Sequence, residues 1–175
     1  VPDDFAGTST ATPMQSFLLS TGVGDSQCNE APDSGLLVQT PQGVGTIELT
    51  VNEVTVQLGS TVLLQSEAGN VLTIAVLEGR AVVTAFDDTQ VVPAGAFTIV
   101  PIDSDLKAVG APEPPQPYVE EAVITMPTAS LEETIVIADS ASEEAITISN
   151  NGFVGNWSAS ADPDGSIPTL AITQI

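Results

Sequence analysis

The residues in this chain that could do chemistry are almost all carboxylates, and many stand side by side: Asp3-Asp4, Asp87-Asp88, Glu120-Glu121, Glu132-Glu133 and Glu143-Glu144. Glycoside hydrolysis is the reaction two carboxyl groups would suggest, but it needs them facing one another across a cleft. Neighbouring residues of a strand point to opposite faces, so none of these pairs makes an acid–base couple by itself. Aromatic platforms for sugar rings are scarce, with one tryptophan (Trp157), one tyrosine (Tyr118) and five phenylalanines. There is no histidine, which removes Ser-His-Asp and Cys-His catalysis and every His-ligated metal site. No glycine-rich loop opens a helix, so nothing cradles a nucleotide. These residues point to a non-enzymatic chain with no catalytic residue, no cofactor and no small-molecule substrate.

Four smaller features remain. Asp162-Pro163-Asp164-Gly165 spaces two carboxylates as a calcium loop does at its start, yet lacks the distal bidentate glutamate. It reads either as a solvated turn or as a pair of calcium ligands, Asp162 and Asp164; calcium bridging of surface carboxylates in general is a further reading. Cys28 is the single cysteine, so it is either a small buried thiol or half of an intermolecular disulfide. Asn156-Trp157-Ser158 is an N-glycosylation sequon, with Asn156 as acceptor. Lys107, the only lysine, reads as an ordinary surface residue.

The charge balance narrows the partners. Twenty-three acidic residues face one lysine and one arginine (Arg80), for a formal charge of -21. Such a surface cannot neutralise phosphates, which excludes nucleic acid and anionic membranes as partners. At 42% hydrophobic residues the chain is nonetheless too apolar for a disordered acidic tail. No apolar run approaches the ~18 residues of a membrane helix. The start, Val1-Pro2-Asp3-Asp4-Phe5, lacks the basic and apolar regions of a signal peptide, so a signal was either removed or never present. Few lysines and abundant Ser, Thr, Gly and Pro favour a secreted chain, extracellular or at a cell surface.

The elements that must position these residues are short strands. Leu36–Gln39 reads as a strand ended by the turn Thr40-Pro41-Gln42-Gly43, and Met14–Leu19 as a short apolar segment of either type. From Ile47 to Val100 the period-2 alternation recurs, punctuated at Asn52-Glu53, Gly59-Ser60, Glu67 to Asn70, Glu78-Gly79, Asp87-Asp88 and Pro93 to Gly95. That makes about seven strands at the spacing of an all-β sandwich or barrel. The run Val71 to Leu77 is apolar enough to be buried on both faces. The organisation expected is an N-terminal arm and loop (1–33), a β domain (34–110), a Pro-rich extended joint (111–118) and a C-terminal β segment (119–175). Within the last, Ala122–Met126, Thr134–Ala138, Ala145–Ser149, Phe153–Trp157 and Thr169–Thr173 read as strands.

The stretch Leu72-Thr73-Ile74-Ala75-Val76-Leu77-Glu78-Gly79-Arg80-Ala81-Val82-Val83, followed by Val92-Pro93-Ala94-Gly95-Ala96-Phe97, resembles a FecR-like domain, an all-β module of bacterial periplasmic and extracellular proteins. The flanks Ser34 to Gly43 and Pro114-Pro115-Gln116-Pro117-Tyr118 look like segments that border such domains. The resemblance spans roughly residues 34–118, about half the chain. It implies a β scaffold with sensing, cell-surface or interaction roles and no catalytic residues to carry over.

Two functions are therefore expected. One is an extracellular structural subunit of a filament, sheath or layer, a homo-oligomer or polymer joined by strand addition. Its candidate assembly strand is 169–175, where Leu170, Ile172 and Ile175 give a partly apolar face, with residues 1–19 as the other candidate; pairing of either within its own chain is the alternative. The other is a monomeric FecR-type binding or sensing module of a larger cell-surface protein.

Overall fold

The computed structural model describes residues 16–22, 34–41, 43–151, 156–158 and 169–171. Alternation of β-branched and polar residues produces the expected strands: β1 (Ser16–Phe17), β2 (Leu36–Gln39), β3 (Ile47–Val51), β4 (Val54–Leu58), β5 (Thr61–Ser66), β6 (Val71–Glu78), β7 (Arg80–Ala85), β8 (Asp88–Pro93), β9 (Ala96–Pro101) and β10 (Gln116–Pro117). They form two five-stranded sheets, ordered β1-β3-β4-β7-β8 and β10-β9-β6-β5-β2. The protein is an all-β sandwich. Leu49, Val51, Val56 and Leu58 of the first sheet pack against Val62, Leu64, Ile74 and Val76 of the second.

Successive hairpins alternate between the sheets. β3–β4 and β7–β8 belong to the first sheet, β5–β6 and β9–β10 to the second. Asn52 and Glu53 both have positive φ (51° and 66°), the geometry of the tight turn that matches strand twist. The β7–β8 turn is centred on Phe86 and Asp87 (φ 52° and 60°), one residue before the expected Asp87-Asp88. Glu78-Gly79 is not a hairpin turn, because β6 and β7 lie in different sheets. It is a corner between layers: Gly79 has φ 74°, and a Cβ there would stand 2.5 Å from the Cβ of Ser60. The corners stack on one another, with the Gly59 N–H donating to Arg80 O (3.2 Å) and the Ala94 N–H to Gly79 O (3.0 Å).

Met14–Leu19, left open between helix and strand, contains β1, which runs parallel to β3 with Phe17 beside Val51. The apolar run of β6 is buried on both faces as expected. Leu72, Ile74 and Val76 enter the inter-sheet core, while Ala75 and Leu77 join an outer cluster with Tyr118, Val123 and Met126.

The C-terminal portion departs from the expected strands. Residues 111–117 are no spacer: the Glu113 N–H donates to Ile99 O, and Gln116–Pro117 pair with Phe97 and Ala96 as the edge strand β10. Ala122–Met126 was expected as a strand, but Glu120–Val123 forms the short helix α1. Ala145–Ser149 lies inside a second helix, α2 (Glu143–Asn151). Ser142 accepts the Ala145 N–H on its hydroxyl (3.2 Å), and Glu143 and Glu144 occupy the first turn. That N-terminal cap and the favourable charge–dipole placement outweigh the β-branched Ile146 and Thr147. Thr134–Ala138 keeps alternating burial but joins no ladder; its Ala138 N–H donates to Leu77 O (2.9 Å). Of the last two expected strands, Asn156–Ser158 (β11) and Thr169–Ala171 (β12) form a two-stranded antiparallel pair. Residues 118–141 thus make a strap over the outer face of the second sheet.

Candidate assembly surface

Two open sheets have four edges, and strand addition depends on how each is guarded. β1 offers two residues. β10 also has two, one of them Pro117, which has no N–H to give a ladder. β8 begins with Asp88 and ends with Pro93, and α2 packs beside it. β2 differs. Leu36-Leu37-Val38-Gln39 has no charge and no proline, and no strand pairs with its outer side among the described residues.

A cleft of about 510 Å³ opens beside β2, lined by Ser34, Gly35, Leu37, Met126, Pro127, Ser130 and Leu131. The strap builds its far wall. Gly35 lets the chain descend close to β5, since a Cβ there would come within 2.7 Å of Leu63 Cδ1. Gln39 fixes the strap at one end of the cleft through a double contact. Its Nε2 donates to Glu133 O (3.1 Å), and its Oε1 accepts the Glu133 N–H (3.0 Å). A side-chain amide here takes the place of a strand's backbone pair. Leu36 remains 37% exposed.

Tyr118 locks the other end of the strap. Its hydroxyl donates to Ala138 O, its N–H to Gly95 O, and Ser140 Oγ donates to Tyr118 O. Burial, with the nearby charges of Glu120 and Asp139, pushes the phenol up from 10.0 to about 12. Gly95, at φ 85°, also accepts the Ala141 N–H; a side chain there would collide with the Asp139 carbonyl.

The carboxylates stay dispersed. Asp87 sits on the β7–β8 turn and Asp88 begins β8; Glu120-Glu121 and Glu143-Glu144 open α1 and α2. Glu120 is used structurally, accepting the Ser140 N–H (3.1 Å). Among the described residues no group of three potential ligands could hold a metal ion. Lys107 lies 4.0 Å from Glu53 in an exposed ion pair. Asn156 stands on β11 opposite Ala171, and Leu170 on β12 opposite Trp157. Cys28, Asp162, Asp164, Ile172, Ile175 and the Asp3-Asp4 pair lie outside the described residues.

Sequence reasoning took Asn52 for a turn residue only. Its side chain is fully buried and accepts the Leu19 N–H (2.8 Å) while donating to Leu19 O (3.0 Å) and Ser66 Oγ (2.7 Å). The available signal was its place in a two-residue turn, where asparagine tolerates positive φ.

Compared with protein-family models, with curated proteins and with solved structures, the chain finds no match. No helix among the described residues is long and apolar enough to cross a membrane.

Proposed function

We propose that this chain is a non-enzymatic extracellular structural subunit whose copies join through β-strand contacts. The observation that carries the reading is β2: an uncharged edge strand with no strand on its outer side among the described residues, beside a cleft that Leu37, Met126 and Leu131 help to line. Exposed edges of that kind recruit strands from other chains unless a sequence blocks them. Extracellular placement rests on composition, with few lysines and much Ser, Thr, Gly and Pro. The charge of -21 opposes casual association, so assembly is expected at high salt or where calcium bridges carboxylates. Negative-stain electron microscopy of the purified protein, with and without a chelator, tests this. Regular fibres or sheets are expected; discrete particles of one chain's mass under every condition would overturn it. Fibres that dissolve with chelator would assign the carboxylates a bridging role.

A second reading, a monomeric FecR-type binding module of a larger surface protein, has its own support. β1, β8 and β10 are each short, proline-bearing or flanked by a helix, as in proteins built to stay apart. Single particles in that experiment are its expected outcome.

A further inference from the structure

We infer that the β2 edge receives residues 169–175 of a second copy, Thr169-Leu170-Ala171-Ile172-Thr173-Gln174-Ile175, as a sixth strand of the second sheet. The inference rests on the assembly reading above and names its donor and acceptor.

Three observations select this donor. First, charge: the strap beside the cleft carries Glu121, Glu132 and Glu133, and the whole chain is at -21, so an acidic strand would be repelled. Residues 169–175 hold no charge and no proline, whereas the 1–15 segment carries Asp3, Asp4, Pro2 and Pro13. Second, pattern: in an extended strand Leu170 and Ile172, two residues apart, share one face, as an apolar contact beside Leu37 requires. Third, availability: among the described residues Thr169–Ala171 pairs only with Asn156–Ser158, in a ladder of two strands and three residue pairs. A two-stranded ribbon alone is marginal in water, and among the described residues no strand lies on the other side of β12.

The acceptor is built for backbone recognition with a side-chain pocket. β2 supplies the ladder, the cleft takes an apolar side chain, and Gln39 closes the end against the strap. Specificity then comes from the absence of charge as much as from apolar contact.

The test uses a fluorescent peptide of residues 169–175 added to the full chain at high salt, read by anisotropy and by amide hydrogen exchange. Saturable binding that slows exchange at Leu36–Gln39 is expected. An Ile172→Glu peptide should bind at least about tenfold more weakly, the loss expected from removing one apolar contact. A Leu131→Glu chain, checked for native circular dichroism, should lose affinity for the unaltered peptide. No binding up to about 1 mM peptide would overturn the inference, as would protection anywhere other than β2. Fibres without peptide binding at β2 would leave the assembly reading standing and remove this donor. Binding at β2 by a protein that never forms fibres would keep the site and remove the assembly reading.

Discussion

Asn52 does three jobs with one side chain, and each comes from a different part of its chemistry. Its backbone takes the left-handed conformation the β3–β4 turn needs, at φ 51°. Its amide oxygen and nitrogen hold Leu19 by both backbone groups, and the same nitrogen reaches Ser66. Segment 16–22 is thereby tied to the first sheet through Asn52, and to the second through Thr21, whose N–H donates to Ser66 O. Asn52→Ala leaves the Leu19 N–H without its acceptor and strains the turn, an expected loss of about 2–4 kcal/mol. Asn52→Gly relieves the turn but not the lost bonds, so it should recover about 1 kcal/mol of that. Urea unfolding midpoints of the two variants check the order; equal midpoints would mean the turn conformation contributes nothing.

The strap is the element on which the candidate site depends, because residues 126–131 form one wall of the cleft. Tyr118 is the only tyrosine, so its titration can be isolated. Its phenol is raised to about 12 in the fold against 10.0 when free. Below pH 10.0 it is neutral in both states and adds no pH dependence to stability. Between 10.0 and about 12 only the unfolded chain loses the proton, so stability should fall by up to about 1.4 kcal/mol per pH unit. Tyr118→Phe should cost about 1 kcal/mol near neutrality through the lost bond to Ala138 and should flatten that alkaline decline. Denaturant titrations across the window provide the comparison. The strap also marks the limit of what was legible. Ile47, Leu49 and Val51 announced a strand because alternation is local, and the same logic found β2 and β4 to β9. In 119–151 the local signals conflicted. Ile146 and Thr147 favour a strand, while Ser142 with two following glutamates favours a helix start, and the cap prevailed. Thr134–Ala138 has strand composition, yet what it packs on, Leu77 and its neighbours, lies far away in sequence. The β2 edge was legible as a strand, but its being an edge was not, because that depends on which strand fails to arrive.

At the scale of the whole molecule, the second sheet is covered on both sides at its centre, by the first sheet and by the strap. β6 is the strand this protects most, with Leu72, Ile74, Val76 and Leu77 fully buried. Native-state hydrogen exchange should find its amides among the slowest in the protein and those of β2 among the fastest strand amides. Equal protection of β2 in the isolated chain would mean that its outer edge is already occupied. The alternation of hairpins between layers has a further meaning. Each hairpin settles beside the previous one of its own sheet, β7–β8 next to β3–β4 and β9–β10 next to β5–β6. That is a rule of construction that could be iterated, since another pair of hairpins could be laid down at the β8 and β10 margin without disturbing the interior already built. At those margins stand elements that take no further hairpin: α2 packs beside β8, and β10 ends in Pro117, which has no N–H to give another strand.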